Sequence, residues 1–265
     1  MNRPGVTFLT LMIATAVANV GLAEGPNLDI AGIKIGVSEP EAVTALKAHN
    51  PRLVVNETPH RLEGLPKAVM PAVTAQAMPS GAQEGETVNM VFTMAPSPEK
   101  LWGIQRITSY PAARRPSTAA TLDALRKKYG PENVPNNQSG LQTVNIAWVF
   151  GPDGKLLEPD KAKQAYYSGQ GPLQGHFGQD DMSALNDLQM GISQDKATSY
   201  SITLITASVQ STQGGDFNAP FVIYNMIVAI NDGRIYVPAL EATRAVLLDA
   251  AKARAKPDDN KAAGI

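Results

Sequence analysis

Hydrophobic positions along this chain follow two periods, and a third, unbroken apolar run stands apart at its start. A spacing near 3.6 marks helices, and alternation marks half-buried strands. Ala42, Val43, Ala45 and Leu46 give the first helix an apolar side. Ser38-Glu39-Pro40-Glu41 opens it: Ser38 caps, Glu41 closes a capping box, and Pro40 is tolerated in the first turn. Asn50-Pro51 stops it, because the residue before proline avoids helical geometry. Leu122, Leu125 and Tyr129 place a second helix between a cap at Ser117 or Thr118 and the stop at Gly130-Pro131. A short helix is expected near 160–167, before a glycine-rich loop at 169–178, and a closing helix over 238–255.

Alternating and β-branched runs supply the strands. Ile30, Ile33 and Ile35 suggest a brief extended start. Residues 87–94 and 101–107, joined by a turn at 96–100, read as a hairpin. Residues 143–150, 199–210 and 221–230 are further strands. Asn231-Asp232-Gly233 reads as a tight turn into a short strand at 234–237. Prolines and glycines interrupt any regular pattern across 52–86, apart from a possible strand at 53–55. Short turns join antiparallel neighbours, whereas parallel ones need long crossovers. The fold class is therefore α+β: an antiparallel sheet with helices packed on one face. Three amphipathic helices are too few to cover both faces of so many strands, so part of one face should stay open. A weak internal echo suggests two tandem helix-plus-strands units. Ala45-Leu46-Lys47 with Pro51 resembles Ala124-Leu125-Arg126 with Pro131, and strands bearing Trp102 or Trp148 follow. The expected division is 1–23, 24–111, 112–255 and a disordered tail at 256–265.

The uninterrupted run changes the setting. Asn2 and Arg3 precede an uncharged apolar stretch over 6–20, and Gly21 and Ala23 put small residues at −3 and −1 of a cut before Glu24. That is the three-part pattern of a secretory signal peptide, and the stretch falls short of the roughly 20 residues of a spanning helix. The expectation is export and cleavage after Ala23, with a periplasmic location.

Charge and cysteine content remove whole classes. The net charge is −1, and loss of Arg3 would make it one unit more negative, so nothing draws the chain to nucleic acid. Its densest basic group, Arg126-Lys127-Lys128, sits on a predicted helix and reads as a solvated face. There is no cysteine, which excludes disulfides, thiolate metal sites, cysteine nucleophiles and a lipid anchor at a new N-terminus. Among three histidines, His176 is the best candidate for chemistry, because Asp180 and Asp181 lie close behind it; a surface loop explains it as well. Ser97–Lys100 and Ser193–Lys196 match S-x-x-K, but the partner motifs are absent. No catalytic, cofactor-binding or metal-ligating residue is expected. Trp102 and Trp148 are core residues or, if they share an exposed side of the sheet, anchors for a partner.

The stretch Ile30-Ala31-Gly32-Ile33-Lys34-Ile35-Gly36-Val37-Ser38 and the helix after it resemble a pattern of exported proteobacterial proteins of the SmpA/BamE-like and β-lactamase-inhibitor-like group. The run 122–130 is similar to the second helix of uncharacterised periplasmic members. Val37 stands where methionine is commoner, and the lipid-bearing cysteine of the lipoproteins is missing. The resemblance implies small helix-plus-antiparallel-sheet modules, sometimes in tandem, that bind proteins without catalytic residues. The expected function is thus a non-enzymatic periplasmic module that binds an envelope protein through an exposed sheet face and its loops. The competing readings are an exported hydrolase with a site near His176 and a small-ligand-binding protein.

Overall fold

A computed structural model describes residues 28–57, 59–61, 69–77, 84–136, 143–174, 202–213 and 221–255. The expected signal segment, the His176–Asp181 loop, Ser193 and the tail at 256–265 lie outside the described residues.

The chain folds as α+β around an eight-stranded, wholly antiparallel sheet. A two-residue hairpin comes first, β1 (Asp29–Ile30) and β2 (Ile33–Lys34), turning through Ala31 and Gly32 at positive φ. Helix α1 (Glu39–His49) follows. The strands β3 (Val54–Glu57), β6 (Ala72–Ala77), β7 (Gly85–Phe92) and β8 (Leu101–Ser109) then form a meander. A small pair, β4 (His60–Arg61) and β5 (Val69–Met70), extends from its first connection. Helix α2 (Thr118–Tyr129) precedes a second meander of β9 (Val134–Asn136), β10 (Thr143–Phe150), β11 (Thr203–Gln213) and β12 (Phe221–Asp232). Helix α3 (Pro159–Gln174) lies between β10 and β11, and α4 (Gly233–Ala255) closes the described chain. The last strands of the two meanders, β8 and β12, pair with each other, so the spatial order is β3-β6-β7-β8-β12-β11-β10-β9.

Local chemistry sets the helix ends. The Glu41 carboxylate accepts the Ser38 backbone N–H at 2.9 Å and its hydroxyl at 2.7 Å. Those bonds hold the Glu41 carboxyl below its ordinary range, the backbone bond first. Ser117, rather than Thr118, caps α2 by accepting the Ala120 N–H at 3.2 Å, and Gly130 ends that helix at φ 86°. A side chain would strain that left-handed geometry, which is why glycine stands there. Leu46 and Leu125, at the same spacing from Ser38 and Ser117, are both buried against the sheet.

Alternation then divides the strands between two faces. On the first face, Val73, Val88, Met90, Ile104, Ile146, Trp148, Ile205 and Ile230 pack with Ala42 and Leu46 of α1 and Leu125 and Tyr129 of α2. On the second face, Ala72, Val91, Trp102, Leu204, Ala147 and Val149 pack with Ala162 and Tyr166 of α3 and Tyr236, Val237 and Leu240 of α4. Each fully buried aliphatic side chain in these cores contributes about 1.5–3 kcal/mol. Helices therefore lie against both faces rather than one. The cause is chain direction: β12 runs straight into α4, which folds back onto the second face.

That junction also corrects the reading of Asn231-Asp232-Gly233. Gly233 begins α4, and Pro238 sits inside that helix rather than at its start. Asp232 accepts the Arg234 N–H at 3.0 Å and its guanidinium at 2.6 and 2.9 Å, so the turn residues start a helix, not a hairpin. Two further differences follow from tertiary pairing: Ala72–Ala77 is a central strand inside the proline-broken region, and Val134–Asn136 is an edge strand. Helix α3 also runs on to Gln174, into the segment expected as a glycine-rich loop.

Candidate functional site

Residues paired directly across strands share a face, so the register reads out the second face rung by rung. One rung runs Ala72–Val91–Gly103–Asn231–Leu204–Val149 and lies in the core beneath α4. The next runs Thr74–Asn89–Gln105–Ala229–Thr206–Ala147. Beyond it comes Gln76–Thr87–Ile107–Ile227–Ser208–Asn145, then Ser109–Asn225–Gln210–Thr143. Two bulges keep these rungs aligned: the ladder passes over Trp102 between Gly103 and Leu101, and over Tyr224 between Asn225 and Ile223.

No residue in these rungs is charged. Solvent-facing sheet surfaces ordinarily intersperse lysines and glutamates. Here amides and hydroxyls stand instead, bonded sideways. The Thr74 hydroxyl donates to Asn89 at 3.2 Å, and Asn89 Nδ2 to Gln105 Oε1 at 3.2 Å. Asn225 Nδ2 donates to Gln210 Oε1 at 3.1 Å, and the Ser109 hydroxyl reaches Asn225 Oδ1 at 3.5 Å. Such lateral bonds hold the side chains in place while each amide keeps further donor and acceptor capacity. In their midst Ile107 pairs with Ile227, both half-buried. Neither belongs to either hydrophobic core. The outer rungs thus form a preset, uncharged hydrogen-bonding surface with an apolar centre.

Trp102 and Trp148 do not belong to it. Both are fully buried, on opposite faces. Trp102 stacks on Tyr236 of α4 with ring centroids 4.3 Å apart. Trp148 packs on Tyr129 at 5.3 Å and donates its indole N–H to the Gly130 carbonyl at 2.8 Å, fixing the end of α2. The expectation that they serve as partner anchors is therefore corrected: helices seal both, and they act through packing.

One cluster has the composition of a catalytic site. Glu86 of β7, 9% exposed, lies under the end of α1. Its Oε1 meets His49 Nε2 at 2.8 Å and Arg106 Nε at 2.7 Å, and its Oε2 accepts Asn50 Nδ2 at 2.8 Å. Burial works to raise its pKa, but the bonds from Asn50 and His49 and the Arg106 charge outweigh it, and the carboxyl sits below its ordinary range. A cavity of about 140 Å³ opens beside it, lined in part by Arg52, Glu84 and Tyr110. Burial raises the Tyr110 hydroxyl; Arg106 lowers it and Glu86 adds to the rise. A carboxylate held ionised with both oxygens committed is a poor proton acceptor. The geometry is that of a clip joining α1 to β7 and β8. Among the described residues no group of three His, Asp or Glu side chains converges to hold a metal, and no helix is long and apolar enough to cross a membrane.

Neither the uncharged rungs nor the Glu86 clip was visible as a site in the sequence. Ile107 and Ile227 lie far apart along the chain, and only the β8–β12 register brings them together. The available signal was the lack of any charge at alternate positions across six strands, which has no meaning until the faces are assigned. No family model, no curated protein and no solved structure matches this chain.

Proposed function

We propose that this protein is a non-enzymatic binding module that docks a protein partner on the outer rungs of its second sheet face. The observation that carries this reading is the Ile107–Ile227 pair, half-buried outside both cores and ringed by uncharged polar side chains. An apolar centre with a hydrogen-bonding rim is the anatomy of a protein–protein interface. Trp102, the tryptophan of that face, is sealed beneath α4 and offers no ring for a sugar to stack on. The amino-terminal pattern of residues 1–23 supports export, and we propose the periplasm as the site of action.

The test is position-specific photocrosslinking from Ile227 and, as a control, from Lys127 on the exposed side of α2. A discrete, protease-sensitive adduct is expected from Ile227 alone. It should vanish in Ser208→Arg, whose melting curve should match the parent. Equal adducts from both positions, or none from Ile227, would refute the proposal.

A further inference from the structure

The two ends of the sheet are not alike. At one end β9 carries Pro135, which has no N–H to offer a further strand, and α3 packs beside it. At the other end β3 is Val-Val-Asn-Glu, without proline, and among the described residues no strand lies beyond it. Val54 there is 64% exposed, the largest value among the exposed large apolar side chains. An edge that opens with two β-branched residues and carries no proline offers its backbone groups for strand addition.

Beside that edge, α1 stands off the sheet and leaves a groove of about 560 Å³. Glu39, Pro40, Val43 and Lys47 of α1 form one wall, and Val55, Asn56 and Glu57 of β3 the other. Glu99 lies next to this wall, accepting the Glu39 N–H at 3.2 Å. Burial, then the charges of Glu99 and Glu57, push the Glu39 carboxyl above its ordinary range. Among the described residues that line the groove, Glu39 and Glu57 stand against Lys47, with the Glu99 carboxylate beside Glu39, an excess of negative charge.

We propose that β3 and α1 form a strand-addition site for an extended basic segment of a partner polypeptide. A strand laid along β3 would place alternate side chains over the first face, opposite Val55 and Glu57. There an apolar residue meets Val43 and Val55, and a lysine or arginine two positions away meets Glu57 and Glu39. A second copy of this chain fits less well, because self-pairing would bring two sets of these carboxylates together. The site is separate from the second-face surface, so either can fail without the other.

The probe is a fluorescein-labelled heptapeptide, TVTKTVT, titrated into the purified chain at low salt and read by anisotropy. Saturable binding is expected. Replacing its lysine by glutamate should weaken binding about tenfold or more, since like charges oppose across an interface. N-methylation of alternate peptide amides, which removes the strand hydrogen bonds, should abolish it. Glu57→Lys should reverse the lysine-over-glutamate preference, and Glu39→Gln should reduce it with no change in melting temperature. Lack of saturable binding, or binding indifferent to N-methylation and charge, would overturn the proposal. So would a dimer in sedimentation that Val54→Lys dissolves, since the edge would then belong to a second copy.

Discussion

The two faces of this sheet are built from alternate residues of the same strands, yet they carry opposite chemistry. The first face is apolar under α1 and α2 and admits charge only at its margins, at Glu57, at the Glu86–Arg106 pair and at Asp232. The second is apolar beneath α3 and α4, and beyond them its rungs turn polar around the Ile107–Ile227 pair without turning charged. The lesson is that a sheet face beyond its core has two ways to be hydrophilic. Charges keep neighbours away, whereas neutral amides and hydroxyls can be desolvated against a partner at lower cost.

The comparison can be broken most forcefully from the first face. Trp148→Ala should cost about 3–5 kcal/mol in urea unfolding, because it opens a cavity and strands the Gly130 carbonyl. A loss under about 1 kcal/mol would mean that this face is not the principal core.

Removing the clip comes next. Glu86→Ala should cost about 2–3 kcal/mol, below the usual figure for a buried pair because His49 and Arg106 keep about a quarter of their side-chain surface exposed. The pH dependence has a definite sign. The folded pKa of Glu86 lies below its unfolded value, so its contribution is complete above about pH 4.3 and is lost as pH falls through the folded value. Parent and variant stability curves should converge in acid. Parallel curves down to pH 2 would contradict the ionised clip.

Smaller again is Ser38→Ala, expected to cost about 1 kcal/mol through loss of the hydroxyl bond from Ser38 to Glu41. An unchanged denaturant midpoint would remove the cap from the account. Smallest is Ser208→Arg on the second face, within about 0.5 kcal/mol of the parent because its neighbours lie outside both cores. A large loss there would show that the outer rungs are core after all.

The class of fold and the antiparallel pairing were legible because they rest on local signals: the Ser38 and Ser117 caps, the Asn50-Pro51 stop, and the alternation at Gly85–Phe92 and Leu101–Ser109. Errors came where a local signal had two tertiary meanings. Asn231-Asp232-Gly233 suits a hairpin turn as well as a helix start, and only the Asp232–Arg234 contacts decide between them. Ala72–Ala77 is strand because β3 and β7 flank it, not because its small residues prefer to be. The tryptophans were legible in part. Their place in strands was readable, but which face each took, and which helix covered it, depended on the bulge at Trp102 and on the helices α2 and α4. The outer rungs were least legible, since they join residues from six strands.

The most direct test of the second-face surface is carbene footprinting of Ile107 and Ile227 in two settings. In the purified chain both side chains should be labelled, and in intact envelopes both should be protected, while Tyr167, 63% exposed on α3, is labelled equally in each. Protection already present in the purified chain, or equal labelling in both settings, would contradict the claim that this face awaits a partner.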